Sequence, residues 1–557
     1  MFIMTLMIDL TDGTVIRKDY EHVFGGRSLS SKIIAEKTPP TIHPLDSLNA
    51  LVIAPTTLAG TSAPNVNRLS VGAKSPLTGG IKEANVGGRV PDILARLGHQ
   101  ALIVQGKAER LSILRVSKEK CWIEDGTAYE EMPNYQLYPA LYEQYGEKVG
   151  ILAIGPAGEK QLLSATVSGN DLEGNPSRHA ARGGLGAVLG SKNLKAIVFD
   201  NPGKGLRKPT NEKEFKELSK NFSKKLIDNS EPVRKFGNLL LVGYINSLKA
   251  LPINNYRISE SKDALSLTGE NVSVKIIERG GKMGHRCSRG CVICCSNIIR
   301  DENGDYVTSG FEYETTVMLG SNLGLFDFES VVAMERICDD LGIDTIEIGT
   351  ALATAAEANL ATFGDSASFM KLIMEIQNMT PLGIILASGS EITGKVFGVT
   401  RVASVKGQGL AAYDPRGIKG TGVTYATSPM GGDHTAANLL PGTVDVDVRA
   451  KEGQTKASKD VQAMVAAIDS CGCIYVGITE DNIETFASLI ESFYDQTCTG
   501  EQLLEIGRAT LKLENEFNIK AGISPKKNDL PSFFRDEPDS AGDYFDIEPS
   551  SLEKIFN

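Results

Sequence analysis

Tryptophan is nearly absent from this chain, with one in 557 residues, and aromatic residues together make up only 6%. A protein that grips single strands by stacking bases on aromatic rings needs more. Cationic charge is in deficit too: the formal net charge is −11 and no Lys/Arg run dominates, so a phosphate backbone would be repelled. No uninterrupted apolar run approaches the roughly 18 residues needed to span a bilayer. The opening stretch, MFIMTLMIDL, is broken by Asp9 and has neither a basic start nor a small-residue cleavage site. It reads as a first strand, and a cytoplasmic location is expected. These absences argue against nucleic-acid binding and membrane insertion. What remains is a globular enzyme, 41% hydrophobic with 57 glycines for tight turns, long enough for two to four domains.

Cysteine is scarce as well, but it is clustered. The stretch HRCSRGCVICCSN places Cys287, Cys291, Cys294 and Cys295 within nine residues. Cys287, Cys291 and Cys295 are each separated by three residues, so one loop or turn can aim three thiolates at a common point. Iron–sulfur clusters normally take four thiolates, whereas structural zinc usually shows two paired knuckles. With one knot visible, the fourth ligand must come from afar, and Cys471 and Cys473 in DSCGCIY are the obvious donors. The reading is a four-iron cluster. Structural zinc, a disulfide and unligated buried thiols are the alternatives.

Short apolar runs punctuated by Gly, Pro and Asn fill residues 1–205: NALVIAP, QALIVQGKA, LSILRVS, VGILAIGP and LKAIVFD. They predict a β-rich domain. PGKGLRKPTNEK reads as a linker ending in a Thr/Asn cap before the amphipathic EKEFKELSKNFSKKL, and from there the chain is mostly helical. The expected class is α+β, with a β-rich domain at 1–205 and mainly helical domains at 206–418 and 419–557. Two helical stretches end alike, in Asp339-Asp340-Leu341-Gly342 and Asp469-Ser470-Cys471-Gly472. A glycine there suits the left-handed residue that stops a helix. Two matched ends could also grip two halves of one symmetrical ligand.

Two glycine-rich loops stand out in the β-rich part. Residues 60–89 hold Arg68, Lys74 and Arg89 among glycines, with Asn85 just before Gly87 and Gly88. The second, SRHAARGGLGAVLGSKNLKAI, carries Arg178, Ala180, Arg182 and Gly183. Glycines let backbone N–H groups approach an anion, and arginine offers a planar fork for phosphate. A dinucleotide fingerprint over Gly184 to Gly190 with Asp200 fails on spacing.

The loops NRLSVGAKSPLTGG, NVGG and ARGGLGAVLGSKNLKAI, the cysteine knot, FEYETTVMLGSNLGL, the D-x-x-G pair and SPMGGDHTAAN follow one another in an order that resembles the tungsten-dependent aldehyde:ferredoxin oxidoreductase family. The resemblance runs from about residue 5 to past residue 500. It implies a β-rich domain carrying a tungsten or molybdenum bis-pterin, two helical domains enclosing it, and a nearby [4Fe-4S] cluster. By the same resemblance, Arg68 matches the arginine between the two pterin phosphates. Asn85 and Gly87 match the N-x-G that meets those phosphates and their magnesium. The Arg178 to Gly183 loop, including Arg182, matches the remaining phosphate-side contact, made by a backbone carbonyl near Ala180. Asp339, Ile343 and Asp344 match the first pterin clamp, with Ile replacing Leu. Asp469 and Gly472 match the second, and a one-residue deletion brings Cys473 onto the cluster-cysteine position, with Cys471 the runner-up. Cys287, Cys291 and Cys295 would supply the other three ligands, and Cys294 would be spare.

The resemblance also assigns chemistry. His434, in GGDHT, matches the active-site histidine, and Glu312 matches the acid near the metal, with Glu314 its alternate because the two straddle Tyr313. Arg416 reads as a turn-stabilising salt-bridge former. Met430 stands where many relatives carry a basic residue, which points to a different substrate pocket. The implied reaction is oxidation of an aldehyde to a carboxylic acid, with electrons passing to ferredoxin or a separate iron–sulfur subunit. A homodimer is one expected assembly. The knot has one residue more between its first two cysteines than the commonest family spacing, a variant similar to branches that work with a separate iron–sulfur subunit. The alternatives are another low-potential reduction, such as ring reduction of an aromatic acyl thioester, and a zinc-stabilised binding protein without catalysis.

Overall fold

A computed structural model describes residues 4–20, 24–475 and 480–556. The first 200 residues form two six-stranded sheets. In the first, β1 (Met4–Asp9), β2 (Val15–Asp19), β3 (Leu51–Pro55), β4 (Leu69–Lys74), β5 (Ile81–Val86) and β6 (His99–Gln105) lie in the order β2-β1-β6-β3-β4-β5. The second contains β7 (Ser112–Val116), β8 (Cys121–Asp125), β9 (Gly150–Ala153), β10 (Val167–Gly169), β11 (Arg178–Ala180) and β12 (Leu194–Phe199), ordered β11-β10-β9-β12-β7-β8. All five apolar runs picked out above form strands, and the opening stretch contains β1. Their runs of Val, Ile, Leu and Ala are buried along the whole of β3, β9 and β12. That is the pattern of strands covered on both faces. Side chains of both sheets share one core, in which Ile53 and Leu102 from the first join Leu114, Leu152 and Ile197 from the second.

The pairing of β4 with β5 places functional residues together. It is antiparallel, with Leu69 opposite Val86 and Ser70 opposite Asn85. Arg68, at the entry to β4, therefore lies beside Asn85 and Gly87 at the exit of β5. Arg178 opens β11, opposite Gly169.

After the linker the chain is helical, beginning with Glu212–Asp228, whose N-cap Asn211 accepts from the Glu214 N–H as the Thr/Asn signal predicts. The cysteine loop hangs between β13 (Lys282–His285) and β14 (Ser296–Arg300), which with β15 (Tyr306–Thr308) make a small sheet. The loop docks on the first domain through backbone and amide contacts. Gly88 N–H donates to Cys287 O at 2.9 Å, Asn65 N–H to Gly290 O at 3.1 Å, Val292 N–H to Asn65 Oδ1 at 2.9 Å, and Asn67 Nδ2 to Arg289 O at 2.8 Å. Gly88 has φ +87°, and a Cβ there would stand 2.3 Å from Asn170 O, so this contact requires glycine.

The two D-x-x-G ends differ. The Phe328–Leu341 helix stops at Gly342, left-handed at φ +72°, in agreement with the sequence pattern. The Gln454–Ile468 helix instead stops at Asp469, itself left-handed at φ 40°, and Gly472 opens the next short helix. Asp469 is held there by long-range partners: its Oδ2 accepts from Arg27 N–H at 2.6 Å and its Oδ1 from Asn85 Nδ2 at 2.9 Å. Among the described residues no single helix is long and apolar enough to cross a membrane.

The Gln454–Ile468 helix, which delivers Asp469, packs on Gly500–Lys520 across Gly507, where a Cβ would come within 1.8 Å of Ala463 O. Gly507→Ala must push the helices apart. We expect a loss of about 1–3 kcal/mol, the usual cost of overpacking, read as a lower midpoint in thermal unfolding. Gly205→Ala, where an added Cβ meets nothing within 4 Å, is the control and should leave the midpoint close to that of the wild type.

Candidate active site

A cavity of about 380 Å³ lies where the domains meet. One wall carries Arg68, Gly87 and Arg178 from the β-rich domain. Another carries Cys287, Cys295, Cys471, Gly472 and Cys473, and a third Asp339, Ile343, Asp344, Glu312, Glu314 and His434. Most of the residues singled out from the sequence thus converge. Asn85, Ala180, Arg182, Gly183, Asp469 and Cys291 lie behind the lining. Asn85 Oδ1 accepts from Arg68 Nε while its Nδ2 holds Asp469, so it braces the arginine. Ala180 is fully buried and its neighbours His179 and Ala181 face the space. Gly183 O accepts from Ser75 Oγ at 2.7 Å. Arg182 joins Asp344 through an Nε–Oδ2 ion pair of 3.0 Å.

The thiols are arranged around cations. Cys473 Sγ lies 3.5 Å from Cys295 Sγ, and Arg68 Nη1 3.9 Å from Cys287 Sγ. Behind them Asn65 Nδ2 points at Cys291 Sγ from 3.7 Å. A hydrogen bond from Cys291, aided by the Arg68 and Arg178 guanidiniums, holds the Cys287 thiol well below its ordinary range against burial. Cys471 is lowered likewise, by a hydrogen bond from Cys473 and by Arg68. No disulfide joins any of the nine cysteines. Cys294, at φ 55°, lies outside the cavity lining, with its Sγ 3.8 Å from Cys291 O and its thiol lowered by a hydrogen bond with Cys291.

Glu312 and Glu314 both face the cavity. Glu312 is itself extended, at φ −110° and ψ 165°, and caps the helix Tyr313–Met318; the turn that begins at Tyr313 sends the two carboxylates to different partners. Glu312 Oε1 accepts from Ser296 Oγ at 2.6 Å and pairs with Arg178 Nη1 at 3.3 Å. Burial pushes its carboxyl up, opposed by Arg178 and Ser296. Glu314 Oε2 accepts from Ala412 N–H at 2.8 Å, and its Oε1 stands 3.3 Å from His434 Nε2. His434 lies on a single 3-10 turn, His434–Ala436, capped by Asp433. Asp433 is buried against Lys82; burial opposes its charge, but Lys82 and then Arg182 hold its carboxyl well below the usual range.

Other readings sort themselves by position. Arg416 is buried, paired to Asp414 at 2.6 Å and donating to main-chain carbonyls, a structural role. Met430 is buried away from the cavity lining, its Sδ 3.1 Å from the Glu83 N–H, so it does not shape this pocket. Sequence reasoning misses His179, because Arg178 beside it draws the phosphate argument. The histidine lines the cavity, with Nδ1 2.8 Å from Thr166 Oγ1 and Nε2 3.2 Å from Asp339 Oδ1. Tyr413, whose ring centroid is 6.0 Å from that of His434, carries no signal in the sequence either.

The donor set fits a large anionic, metal-bearing group. Two guanidiniums and several thiols face one space, and Arg178 Nε, Glu312 Oε2, Glu314 Oε1 and His434 Nδ1 are buried without hydrogen-bond partners. Buried polar atoms seldom stay unpaired unless a ligand or water meets them. Thiols, arginines and a carboxylate–histidine pair around one interdomain cavity define a redox enzyme. The chain belongs to the aldehyde ferredoxin oxidoreductase family: residues 5–201 match its N-terminal domain and residues 217–555 its domains 2 and 3. The tungsten-containing aldehyde ferredoxin oxidoreductase of Pyrococcus furiosus is 31% identical over 96% of this chain and 91% of its own length. The WOR-like subunit of the aliphatic sulfonate oxidoreductase of the same organism is 29% identical over 75% of this chain and 71% of its own. Among solved structures, the active site complex BamBC of benzoyl coenzyme A reductase with 1,5-dienoyl-CoA superposes with a TM-score of 0.81 at 18% identity, over 99% of this chain and 93% of that one, a likeness of fold.

Asp433 neutralises a buried Lys82 next to the catalytic candidate His434. Removing it should leave an uncompensated cation inside the protein. Asp433→Asn is expected to cost about 3–5 kcal/mol in denaturant unfolding, and the double change Lys82→Met, Asp433→Asn should recover most of it.

Proposed function

We propose that this oxidoreductase is a tungsten bis-pterin and [4Fe-4S] enzyme that oxidises an aldehyde to a carboxylic acid and passes the electrons to ferredoxin or a partner iron–sulfur protein. The observation that carries the reading is the single cavity shared by the thiols, Arg68, Arg178, Glu312 and His434. Cys287, Cys291, Cys295 and Cys473 would hold the cluster, with Cys471 as a competitor for the last place. Arg68 and Arg178 would face the pterin phosphates and their magnesium, and Asp339, Ile343 and Asp344 with Asp469 and Gly472 would clamp the two pterins. When bound, the cofactors supply the acceptance of two electrons and their release one at a time.

The protein's own part is placement and protons. Oxidation of R–CHO with water to R–COOH releases two protons and two electrons. His434, held between Glu314 and Asp433, is placed to hydrogen-bond the carbonyl oxygen, and Glu312 to take a proton as water attacks the carbon. Arg178 keeps Glu312 pointed into the space while leaving Oε2 free. Glu314, bound at Oε2 by Ala412, holds the imidazole, a separate duty from that of Glu312.

Metal analysis on anaerobically purified protein should find about one tungsten and four irons per chain, the content of one such cofactor and one such cluster; zinc alone with no visible absorption would overturn the reading. Assays with aldehydes and with aromatic acyl thioesters then separate aldehyde oxidation from ring reduction. Glu312→Gln and His434→Asn should each lower kcat by about 10²–10⁴-fold with metal content unchanged. Because burial raises the Glu312 carboxyl, kcat/KM should fall on the acid side at a pH above the ordinary carboxylate range, and Glu312→Gln should abolish that limb.

A further inference from the structure

Outside the cavity, one cluster of ligating side chains is used by nothing described above. Asp171 and Glu173 lie in the turn between β10 and β11, and His285 ends β13, two residues before Cys287. One donor atom from each lies within 4.8 Å of the others. His285 is 3% exposed, and its Nε2, although 3.1 Å from Glu173 Oε2, makes no aligned hydrogen bond and is left buried without a partner. A histidine meant only to pair with a carboxylate would point an N–H at it. Here Nε2 stands 3.1 Å from Glu173 Oε2, and a carboxylate oxygen of Asp171 lies within 4.8 Å of the other two donors.

We propose that Asp171, Glu173 and His285 form a binding site for a first-row divalent cation, separate from the redox cofactors, that fastens the cysteine loop to the β-rich domain. One imidazole and two carboxylates are a donor set zinc accepts, with water in the fourth position. Zinc–ligand distances of about 2.0–2.2 Å put tetrahedral donors roughly 3.3–3.6 Å apart, a few tenths of an ångström more than the His285–Glu173 separation of 3.1 Å. Asp171 is held in place on both oxygens: Oδ1 accepts from the Gly174 and Asn175 N–H groups at 2.7 and 2.8 Å, and Oδ2 from Ser309 Oγ at 2.6 Å, Ser177 Oγ at 3.1 Å and Asn175 Nδ2 at 3.3 Å, so a cation would share these oxygens with their donors. The neighbouring cation, Arg178, hydrogen-bonds Ser296 and Ser309 O and pairs with Glu312, while its charge also lowers the Asp171 carboxyl. Glu173 also lines a surface groove with Glu143, Glu147, Arg89 and Lys148, which opens the cluster to solvent.

The test is zinc chloride titrated calorimetrically into anaerobic full-length holoprotein, with iron and tungsten contents measured on the same samples. One zinc per chain is expected, with affinity falling about tenfold or more in Glu173→Gln while iron and tungsten stay unchanged. Glu173 is half-exposed, so this variant should fold; His285→Gln serves as the second probe. No zinc uptake by the wild-type protein, or equal uptake by Glu173→Gln, would overturn the proposal. Zinc captured by vacant cluster thiols would be insensitive to Glu173→Gln. Absence of iron and tungsten would sink the functional reading while leaving the zinc comparison readable.

Discussion

Bringing several thiols to one buried point is the constraint on which the rest of the structure depends. Thiolates repel one another and lose hydration together, so the site needs fixed cations and donors before it can exist. Arg68 and Arg178 provide the cations, and each arrives by a different route. Arg68 comes from the mouth of the β4–β5 hairpin and is braced by Asn85; Arg178 opens an edge strand of the other sheet. The cysteine loop, which belongs to the helical part, must then be seated against both. Gly88, Asn65 and Asn67 do this with contacts to the loop backbone, which fix its path whatever its side chains. The two-sheet domain thus supplies one wall of the site, and the helical part brings the thiols and the remaining polar side chains to it.

A second consequence is a chain of buried charges linking the halves. Arg27 pairs with Glu514 at 2.7 Å, Asp469 takes the Arg27 and Asn85 donors, and Lys82 pairs with Asp433. Arg182 reaches Asp344. Every one of these joins the β-rich domain to a helix or loop far later in the chain. Buried ion pairs of this kind add little net stability compared with apolar packing, but breaking one is costly, and each of these is made only in the present relative placement of the two halves. That placement is what the cavity requires, because its lining is drawn from all of them.

The strands, the linker helix and the thiol cluster are legible in the sequence because they rest on local pattern: apolar runs between turns, a cap before an amphipathic stretch, and cysteine spacing. Gly342 is legible for the same reason, as a glycine at a helix end. Its counterpart is not. Asp469 takes the left-handed conformation expected of a glycine because Arg27 and Asn85, 442 and 384 residues away, hold its carboxylate. His179 and Tyr413 escape notice because nothing in their neighbours distinguishes them from ordinary residues. Only the fold brings His179 to Asp339 and Tyr413 to His434.

The two glutamates at 312 and 314 show how one local turn changes the chemistry available. On extended backbone, residues two apart would share a face and their intervening tyrosine would point the other way. The helix starting at Tyr313 instead rotates Glu314 towards His434 while Glu312, still outside the helix, stays with Arg178 and Ser296. Two identical side chains thereby acquire different partners. Glu312 is tied to Ser296 and Arg178 and leaves Oε2 unpaired; Glu314 is tied to the Ala412 N–H and leaves Oε1 beside the imidazole. Pairs of acids in unlike environments are how a site separates proton acceptance from proton placement. The one backbone turn beginning at Tyr313 gives the two acids unlike surroundings without any difference in residue type.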